Sequence, residues 1–294
     1  MKISVYITSY NQKNYLVEAV DSVLAQTLKP HQIIIADDCS TDGSRGVIEG
    51  YRSRYPALIT PLLHERNTGV AQVRIDALNA VTGDWATYVD GDDRLLPAKL
   101  EKEWGALKKR PDARIAFSNY FYMDEFGAHT GVWADDDKPP EGYVFKEVFA
   151  RAFPRGNLFR KELVDYGAWK EIGFHDPKLA IYEDYDMKIR LTKKLKVAYH
   201  DEPLSEYRLH GKGLSKSGIQ KHLEAFEYIF EKNRPLLDDL SAGDRGFVVE
   251  RFNRWVINLA RGAAAESLGE GHLVKAAKYY FKMLGYKNRQ RRLP

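Results

Sequence analysis

Carboxylates that directly follow an apolar run are the first sign of chemistry in this sequence. The residues DGDD at 90–93 come immediately after the run WATYV at 85–89. Carboxylates at alternate positions beyond a strand end can converge on a divalent cation, which takes its remaining ligands from substrate phosphates. Asp90 and Asp92 are therefore candidate metal ligands, and a solvated acidic turn is the alternative.

A second acidic pair, Glu183-Asp184, opens the segment YEDYDMKIRLTKKL, which has helical periodicity. One interpretation is a general base that removes a proton from an acceptor hydroxyl, which typically contributes ~10²–10⁴ in rate. The other is a favourable interaction of acidic side chains with the helix N-terminus. The residues alone leave both interpretations open.

A third acidic pair, Asp37-Asp38, ends the apolar run QIIIA and could hydrogen-bond a ribose or a base. Residues 38–49 also imitate the calcium loop of an EF-hand. That motif requires an entering helix, whereas QIIIA is typical of a strand covered on both faces. The pattern therefore favours a nucleotide contact over calcium binding.

Basic side chains are the usual partners of phosphate oxygens. Arg208 and His210 lie in a polar, basic segment after a strand-like run, and could clamp a diphosphate with His210 as an additional metal ligand. Arg74 lies in a predicted helix after the residues NTG, where it is either a surface charge or faces the edge of the sheet.

The elements that must position these side chains alternate regularly through the first hundred residues. Apolar runs at 3–8, 32–36, 59–64 and 85–89 predict strands, and three- and four-residue apolar spacing between them predicts helices. Such alternation implies a mostly parallel sheet with helices on both faces. Ligands bind beyond the carboxyl ends of such strands, where the acidic pairs lie. From about residue 220 onward the sequence predicts only helices.

Composition places this pattern in a globular protein with few special features. The chain has 294 residues, 44% of them hydrophobic and 29% charged, and its net charge of +4 is too small to indicate a nucleic-acid partner. The single cysteine, Cys39, fits a reducing, cytoplasmic setting. There is no apolar run of the ~20 residues that a membrane span needs. The N-terminus lacks a leader-type apolar block, so no signal peptide is expected.

Taken together, the motifs resemble family 2 of the glycosyltransferases, which have a GT-A fold: a Rossmann-like, mostly parallel or mixed sheet flanked by helices. The matching segments occur in family order across about residues 3–217. They are TSYNQKNYLVEAVDSVLAQT, ADDCSTDGS, ERNTGVAQVRIDAL, GDWATYVDGDD, YEDYD and YRLHGKGLSKS. Cys39 is a departure, since the family often has glycine there.

The resemblance implies an inverting glycosyltransferase that moves a sugar from a nucleoside-diphosphate sugar, with UDP favoured, to an acceptor hydroxyl. The transferred sugar would be a hexosyl or N-acetylhexosaminyl group, and the cofactor a divalent metal, Mn²⁺ or Mg²⁺. The expected roles are Asp184 as base with Glu183 beside it, Asp92 and His210 as metal ligands, and a donor site formed by Thr8, Tyr10, Asn11, Asp38, Arg74, Asp90 and Arg208.

The expected domains are 1–218, a GT-A unit with a nucleotide-sugar-binding half (1–96) and an acceptor-side half (97–218), and 219–294, a helical region with a basic tail. The acceptor would be a glycan or a lipid-linked molecule in bacterial surface polysaccharide or glycan assembly. A homo-oligomer is left open. Two other functions also stay open: a non-catalytic module that binds a nucleotide-sugar, and a nucleotidyltransferase.

The last predicted helix combines an apolar stripe with basic residues. From Lys275 to the end there are seven Lys or Arg and no acidic residue. One interpretation is that the stripe docks on the catalytic domain or a second copy. The other is peripheral contact with an anionic membrane on the cytoplasmic side. The stripe is formed by Leu273, Val274, Ala277, Tyr280, Phe281 and Leu284.

Overall fold

The computed structural model describes residues 1–211 and 218–290, with side chains of the last helix up to residue 287. Residues 212–217 of the predicted phosphate-binding segment, and the side chains of Arg289, Arg291 and Arg292 in the basic tail, lie outside this description. The described strands are β1 (Ile3–Ser9), β2 (Gln32–Asp37), β3 (Ile59–Leu63), β4 (Trp85–Asp90), β5 (Arg94–Leu95), β6 (Ala113–Met123), β7 (His129–Val132), β8 (Leu163–Asp165) and β9 (Lys196–Arg208).

The helices between and after these strands follow the predicted alternation in the first half of the chain. They are α1 (Lys13–Leu24), α2 (Ser44–Arg54), α3 (Val70–Asn79), α4 (Lys99–Lys109), α5 (Phe145–Phe149), α6 (Tyr166–Ile172), α7 (Glu183–Lys194), α8 (Ile219–Asn233), α9 (Ala242–Gly269) and α10 (Leu273–Gln290).

The described strands form one mixed sheet in the order β3-β2-β1-β4-β8-β6-β9-β5, with β7 paired to β6. The first four of these are parallel. Strand β2 is buried along its whole length, because helices cover both faces of a central parallel strand. Helix α1 turns one apolar face toward the core, formed by Leu16, Ala19, Val20 and Val23. The predicted α/β class is confirmed.

The second half of the sheet mixes strand directions. Strand β8 runs antiparallel to both β4 and β6, and so joins the parallel strands to the rest of the sheet. Strand β9 pairs parallel with β6 through several register shifts and continues to Arg208. The sequence pattern does not predict this continuation, because the later residues of β9 include Asp201, Glu202 and Pro203, which are poor strand formers.

The structure divides into two compact units. One contains 1–144 and 153–211, and the other contains 145–152 together with the C-terminal helices. Residues 145–152, which the sequence prediction placed in the acceptor-side half, thus belong to the helical unit. Within that unit Phe230 stacks on Phe252 with ring centroids 3.9 Å apart, and Phe149 packs edge-on against Phe230 at 5.9 Å.

Helix α10 buries a different stripe from the apolar stripe that the sequence predicted, so the first of the two interpretations, a docked stripe, does not hold within this chain for the residues predicted to form it. Ala276, Tyr279 and Met283 are buried, whereas Val274 is 87% exposed and Phe281 69% exposed. The spacing 276, 279, 283 satisfies helical periodicity as well as the predicted stripe does, so periodicity alone could not separate the two faces. None of the helices among the described residues is long and apolar enough to span a membrane.

Candidate active site

The carboxyl ends of β1, β2 and β4 form one edge of the sheet and carry the first group of predicted site residues. Parallel pairing places Thr8 opposite Asp90, and Ser9 opposite Asp37. Thr8 Oγ1 donates a hydrogen bond to Asp90 Oδ1 at 3.4 Å. Two motifs that are far apart in sequence therefore share one corner of the site.

The loop after β1 is fastened to the loop after β2. The Asn11 backbone N–H donates to Ser40 Oγ at 2.8 Å, and the Thr41 N–H donates to Asn11 Oδ1 at 2.8 Å. Asn11 is in the left-handed region with φ 53°, which asparagine tolerates better than most residues. Tyr10, beside it, keeps half of its surface exposed, so its ring remains accessible to a ligand.

Asp38 lies at the end of β2, but its carboxylate is buried and already bonded. It accepts hydrogen bonds from the backbone N–H groups of Thr68 and Gly69 at 2.7 and 2.8 Å, and lies 3.1 Å from His64 Nδ1. These hydrogen bonds hold the pKa of Asp38 below its usual range, although burial acts in the opposite direction. A contact with a base or ribose would require Asp38 to exchange one of these bonds.

Arg74 joins two of the predicted motifs. Its guanidinium lies 2.6 Å from Asp90 Oδ1 and 3.5 Å from Glu183 Oε1, and packs over the ring of Tyr88 at 4.8 Å. Arg74 is buried, so it is not the surface charge that its helical position also allowed. Burial opposes its charge, but Asp90 and Glu183 raise the pKa of Arg74 well above its usual range. The side chain therefore remains a cation between two carboxylates.

Asp92 faces His210 from across the site. Asp92 Oδ2 is 2.8 Å from His210 Nε2, and both side chains are largely buried. The ring of Tyr15 lies 5.6 Å from the imidazole. A carboxylate oxygen and an imidazole nitrogen at this separation form the kind of mixed donor set that first-row metals accept.

Asp93 is directed into the protein and holds the loop that carries Asp92. Its Oδ2 lies 2.8 Å from Lys161 Nζ, and its Oδ1 accepts the backbone N–H of Arg208 at 2.8 Å. Burial raises the pKa of Asp93, Lys161 opposes this effect, and the neighbouring Asp92 adds to it. Asp93 thus ties the loop after β4 to the end of β9.

Arg208, expected to contact the donor, is buried and bonded to the chain itself. Its Nε donates to the Asp92 carbonyl at 2.8 Å, and its Nη2 donates to Glu18 at 2.7 Å. The guanidinium also packs over the Tyr15 ring at 4.5 Å. In this arrangement Arg208 supports the Asp92 loop from behind, and a diphosphate would have to displace these bonds to reach it.

Glu183 and Asp184 occupy the first turn of α7 and have opposite environments. Glu183 is buried beside Arg74, and burial raises the pKa of Glu183 to about 7 while Arg74 opposes that shift. Burial would raise the pKa of Asp184 too, but Lys188, Arg160 and Arg74 hold it well below its usual range. Asp184 therefore stays ionised at neutral pH, as a general base must be.

Three consecutive charged residues that we did not predict lie beneath both acidic motifs. Lys161 pairs with Asp93, and Glu162 lies 3.2 Å from Lys188. Arg160 packs over the Tyr207 ring at 4.0 Å. The signal in the sequence was the charged triplet RKE between the apolar pairs LF and LV (158–164), directly before β8.

The family is identified by sequence comparison. A model of the family described as "Glycosyl transferase family 2" matches residues 4–167, which is more than half of the chain. The chain belongs to glycosyl transferase family 2, and the resemblance drawn from its motifs is confirmed.

Named relatives span most of the chain. TuaG of Bacillus subtilis, named as a teichuronic acid biosynthesis glycosyltransferase, is 30% identical over 216 residues, covering 73% of this chain and 82% of TuaG. Rv1520 of Mycobacterium tuberculosis, an uncharacterized protein, is 28% identical over 263 residues, covering 87% of this chain and 74% of Rv1520.

Solved structures show the fold. Residues 1–349 of S. aureus TarS, in complex with UDP-GlcNAc, match with a TM-score of 0.65 at 16% identity, covering 99% of this chain and 93% of that one. The mannosyltransferase PcManGT of Pyrobaculum calidifontis, in complex with GDP-Man and Mn²⁺, matches with a TM-score of 0.60 at 15% identity. The match covers 99% of this chain and 83% of the PcManGT chain. A longer TarS chain is covered over only 43% of its length. The predicted GT-A fold is thus confirmed.

Proposed function

We propose that this glycosyltransferase transfers a hexosyl or N-acetylhexosaminyl group from a nucleoside-diphosphate sugar to an acceptor hydroxyl, with inversion at the anomeric carbon. We favour a UDP-sugar as donor. The observation that carries the proposal is the bridge made by Arg74, which lies 2.6 Å from Asp90 and 3.5 Å from Glu183. It brings the strand-end carboxylates and the first turn of α7 to the same edge of the sheet.

In the proposed reaction, Asp184 accepts the proton of the acceptor hydroxyl. The acceptor oxygen forms a bond to the anomeric carbon while the bond from that carbon to the diphosphate oxygen breaks. The nucleoside diphosphate leaves with the electron pair. Attack on the face opposite the leaving group inverts the configuration. Because Lys188 and Arg160 keep Asp184 ionised, the base needs no prior deprotonation at neutral pH.

Asp92 and His210 fit a divalent metal, Mn²⁺ or Mg²⁺. Their donor atoms lie 2.8 Å apart, and no group of three His, Cys, Asp or Glu side chains arranged as a metal site occurs within residues 1–211 and 218–290. The protein would therefore supply few ligands and the donor diphosphate and water the others, which is an ordinary arrangement for Mg²⁺. When bound, the ion would stabilise the negative charge that develops on the leaving diphosphate.

The acceptor is proposed to be a glycan or lipid-linked molecule in bacterial surface polysaccharide assembly. The name of TuaG, which refers to teichuronic acid biosynthesis, supports this acceptor class. The donor class is supported by the nucleotide-sugars in the complexes of TarS and PcManGT, UDP-GlcNAc and GDP-Man.

A thermal-shift panel tests the donor and the metal together. UDP-, GDP-, dTDP- and CMP-sugars are added with and without Mn²⁺ to wild type, to Asp92→Ala, and to the matched control Asp136→Ala in an exposed loop. One nucleotide class at ~100 times its Kd should stabilise wild type by about 2.7 kcal/mol. The effect should require Mn²⁺, disappear in Asp92→Ala and persist in the control. Equal stabilisation of Asp92→Ala, or none of folded wild type, would contradict the proposal.

A second proposal concerns the exposed face of α10, which we assign to peripheral contact with an anionic lipid surface on the cytoplasmic side. Leu273, Val274, Tyr280 and Phe281 are exposed there. The flanking Lys275 and Lys278 are also exposed. An apolar face edged by lysines is complementary to an anionic membrane interface.

Flotation with liposomes tests this contact. Wild type should float with vesicles containing phosphatidylglycerol and much less with neutral phosphatidylcholine vesicles. Val274→Ser/Phe281→Ser should abolish flotation, while Tyr55→Ser, an exposed aromatic in the other unit, should not. Unchanged flotation of the double variant would refute the contact. A change in sedimentation mass instead would assign the face to a second copy of the chain.

A further inference from the structure

Beneath the proposed base lies a charged side chain with no access to solvent. Lys188 is one helical turn after Asp184 on α7 and is fully buried, with its Nζ 3.0 Å from Asp184 Oδ2. A lysine ammonium is rarely buried unless it is paired, because desolvation strongly disfavours its charge. Lys188 is therefore held in place by its partners, and its position limits where the Asp184 carboxylate can lie.

The second partner comes from outside the helix. Glu162 is also fully buried and lies 3.2 Å from Lys188 Nζ, immediately before β8. The ring of Phe159 lies 5.6 Å from the same ammonium. Lys188 thus connects the base to the end of a strand in the sheet, and the orientation of Asp184 does not depend on α7 alone.

The other charges around Asp184 act on it from several elements. Arg160 and Glu162 face this region from the segment before β8, Arg74 from α3, and Glu183 from the same helix turn. Tyr88 on β4 and His175, in the loop before α7, also interact electrostatically with Asp184. Lys188, in contrast, donates a hydrogen bond to the Asp184 carboxylate. Arg160 and Arg74 lower the pKa of Asp184 through their charge.

We infer that Lys188, held in place by Glu162, is a positioning residue for the transfer reaction that orients the Asp184 carboxylate toward the acceptor hydroxyl. This inference rests on the proposed function, in which Asp184 is the base. Lys188 touches neither donor nor acceptor in this account. Its effect should therefore appear in kcat and in the pH dependence of kcat, with little change in donor KM.

The decisive variant is Lys188→Met/Glu162→Gln, which takes Lys188 away from Asp184 without leaving fully buried Glu162 as an unpaired charge. Wild type and variant are compared by kcat, donor KM and the pH profile of kcat between pH 5 and 9. In wild type the acidic limb that Asp184 gives to kcat lies below this window, because the pKa of Asp184 is held well below its usual range. In the variant burial is no longer opposed by Lys188, so the limb should move up into the window. Donor KM should stay within about twofold of wild type, since uniform binding is not altered.

A matched control separates this effect from lost stability. Lys99 and Glu103 form another fully buried Lys–Glu pair, 3.0 Å apart on α4. Lys99 also donates a hydrogen bond to the Lys161 carbonyl, next to Glu162, so this control disturbs the same segment while Lys188 stays beside Asp184. Lys99→Met/Glu103→Gln should lower the melting temperature and leave the acidic limb of kcat in place. Glu162→Gln alone is a second test, because it keeps Lys188 beside Asp184 but removes its anchor. It should lower kcat several-fold without moving the limb.

The outcomes distinguish this inference from the proposed function. If Asp184→Asn retains a wild-type rate, the proposed base is wrong. If Asp184→Asn is inactive but the acidic limb of kcat does not move in Lys188→Met/Glu162→Gln, only the positioning role of Lys188 is refuted. Should that double variant fail to fold, an unchanged kcat in folded Glu162→Gln would refute it equally.

Discussion

The edge formed by β1, β2 and β4 and the region formed by β8, β9 and α7 both carry acidic side chains, but they hold them differently. On the first edge, Asp90 and Thr8 meet because parallel strands end together. In the second region Asp184 lies above the buried pair Lys188–Glu162. The parallel strand pairing is enough to bring Thr8 and Asp90 together. The position of Asp184, in contrast, depends on the fully buried charges of Lys188 and Glu162.

This difference has energetic consequences. A buried ion pair contributes little net stability when intact, but breaking it leaves an unpaired charge and costs much more. Variants in the region around α7 should therefore affect both folding and catalysis. Variants at the strand ends that keep the backbone intact should affect ligands alone. Four predictions test this contrast.

The largest effect is expected for Asp184→Asn, which should lower kcat by ~10²–10⁴, the usual contribution of a general base. Donor binding should be unchanged, since we propose that the donor binds at the strand ends. Initial rates and donor titrations measure the two quantities. Asp137→Asn, in an exposed loop, is the control and should retain wild-type kcat. A fall in donor affinity equal to the fall in kcat would remove the distinction between the two regions.

Arg74→Met is expected to destabilise the fold by about 2–4 kcal/mol, because it leaves buried Glu183 and partly exposed Asp90 without their shared cation. Urea denaturation measures this loss. Arg114→Met is the matched control, since Arg114 pairs at 3.6 Å with Asp165 on the surface, and its loss should cost less than about 1 kcal/mol. Similar losses in both variants would show that the Arg74 bridge is no stronger than a surface pair.

Arg208→Met should weaken Mn²⁺ affinity by about 10–100-fold, the range seen when a group behind a metal ligand is removed. The reason is its 2.8 Å bond to the Asp92 carbonyl. Metal titration followed by calorimetry in the presence of donor measures the affinity. Arg94 pairs with the same Glu18 at 3.2 Å but has Glu206, rather than the Asp92 loop, as its second partner, so Arg94→Met should have a smaller effect. Equal losses would assign the effect to Glu18.

The smallest effect concerns Glu183, whose pKa burial raises to about 7. An unfolded glutamate has a pKa near ~4.3, so the native state binds the proton more tightly and wild-type stability falls as pH rises between these values. Glu183→Gln has no carboxyl group at this position and so lacks this pH-dependent loss of stability. Its stability relative to wild type should rise by about 1 kcal/mol or more between pH 4 and pH 8.

Urea denaturation at both pH values measures this difference, and exposed Glu171→Gln should track wild type. If the gap between Glu183→Gln and wild type is the same at pH 4 and pH 8, the raised pKa is wrong.

The sequence predicted the first region well because its signals are local. An apolar run followed by DGDD identifies both the strand and the position of its end. The alternation of strands and helices then brings Asp90 next to Thr8 without further information. The same reasoning predicted α7, because its periodicity and its acidic start agree.

The contacts in the region of β8, β9 and α7 could not be predicted, because they join residues that are far apart in the sequence and share no local pattern. Glu162 and Lys188 are 26 positions apart and meet only when β8 lies against α7. Arg208 was predicted to face the donor because a basic residue after a strand suggests phosphate. The structure buries it, since the unpredicted continuation of β9 carries it behind the Asp92 loop. On α10, two apolar stripes have the same helical periodicity, so the sequence could not indicate which one is buried. In the structure Ala276, Tyr279 and Met283 are buried within the helical unit.

The most direct test of the central claim is the configuration of the first sugar released when water replaces the acceptor. Wild type is incubated with Mn²⁺ and the α-linked donor selected by the thermal-shift panel, and early product is followed by proton NMR before mutarotation. We expect the β-anomer to appear first, and Asp184→Asn, with donor still bound, to release it far more slowly. Release of the α-anomer first, or equal rates in wild type and Asp184→Asn, would contradict inversion assisted by this base.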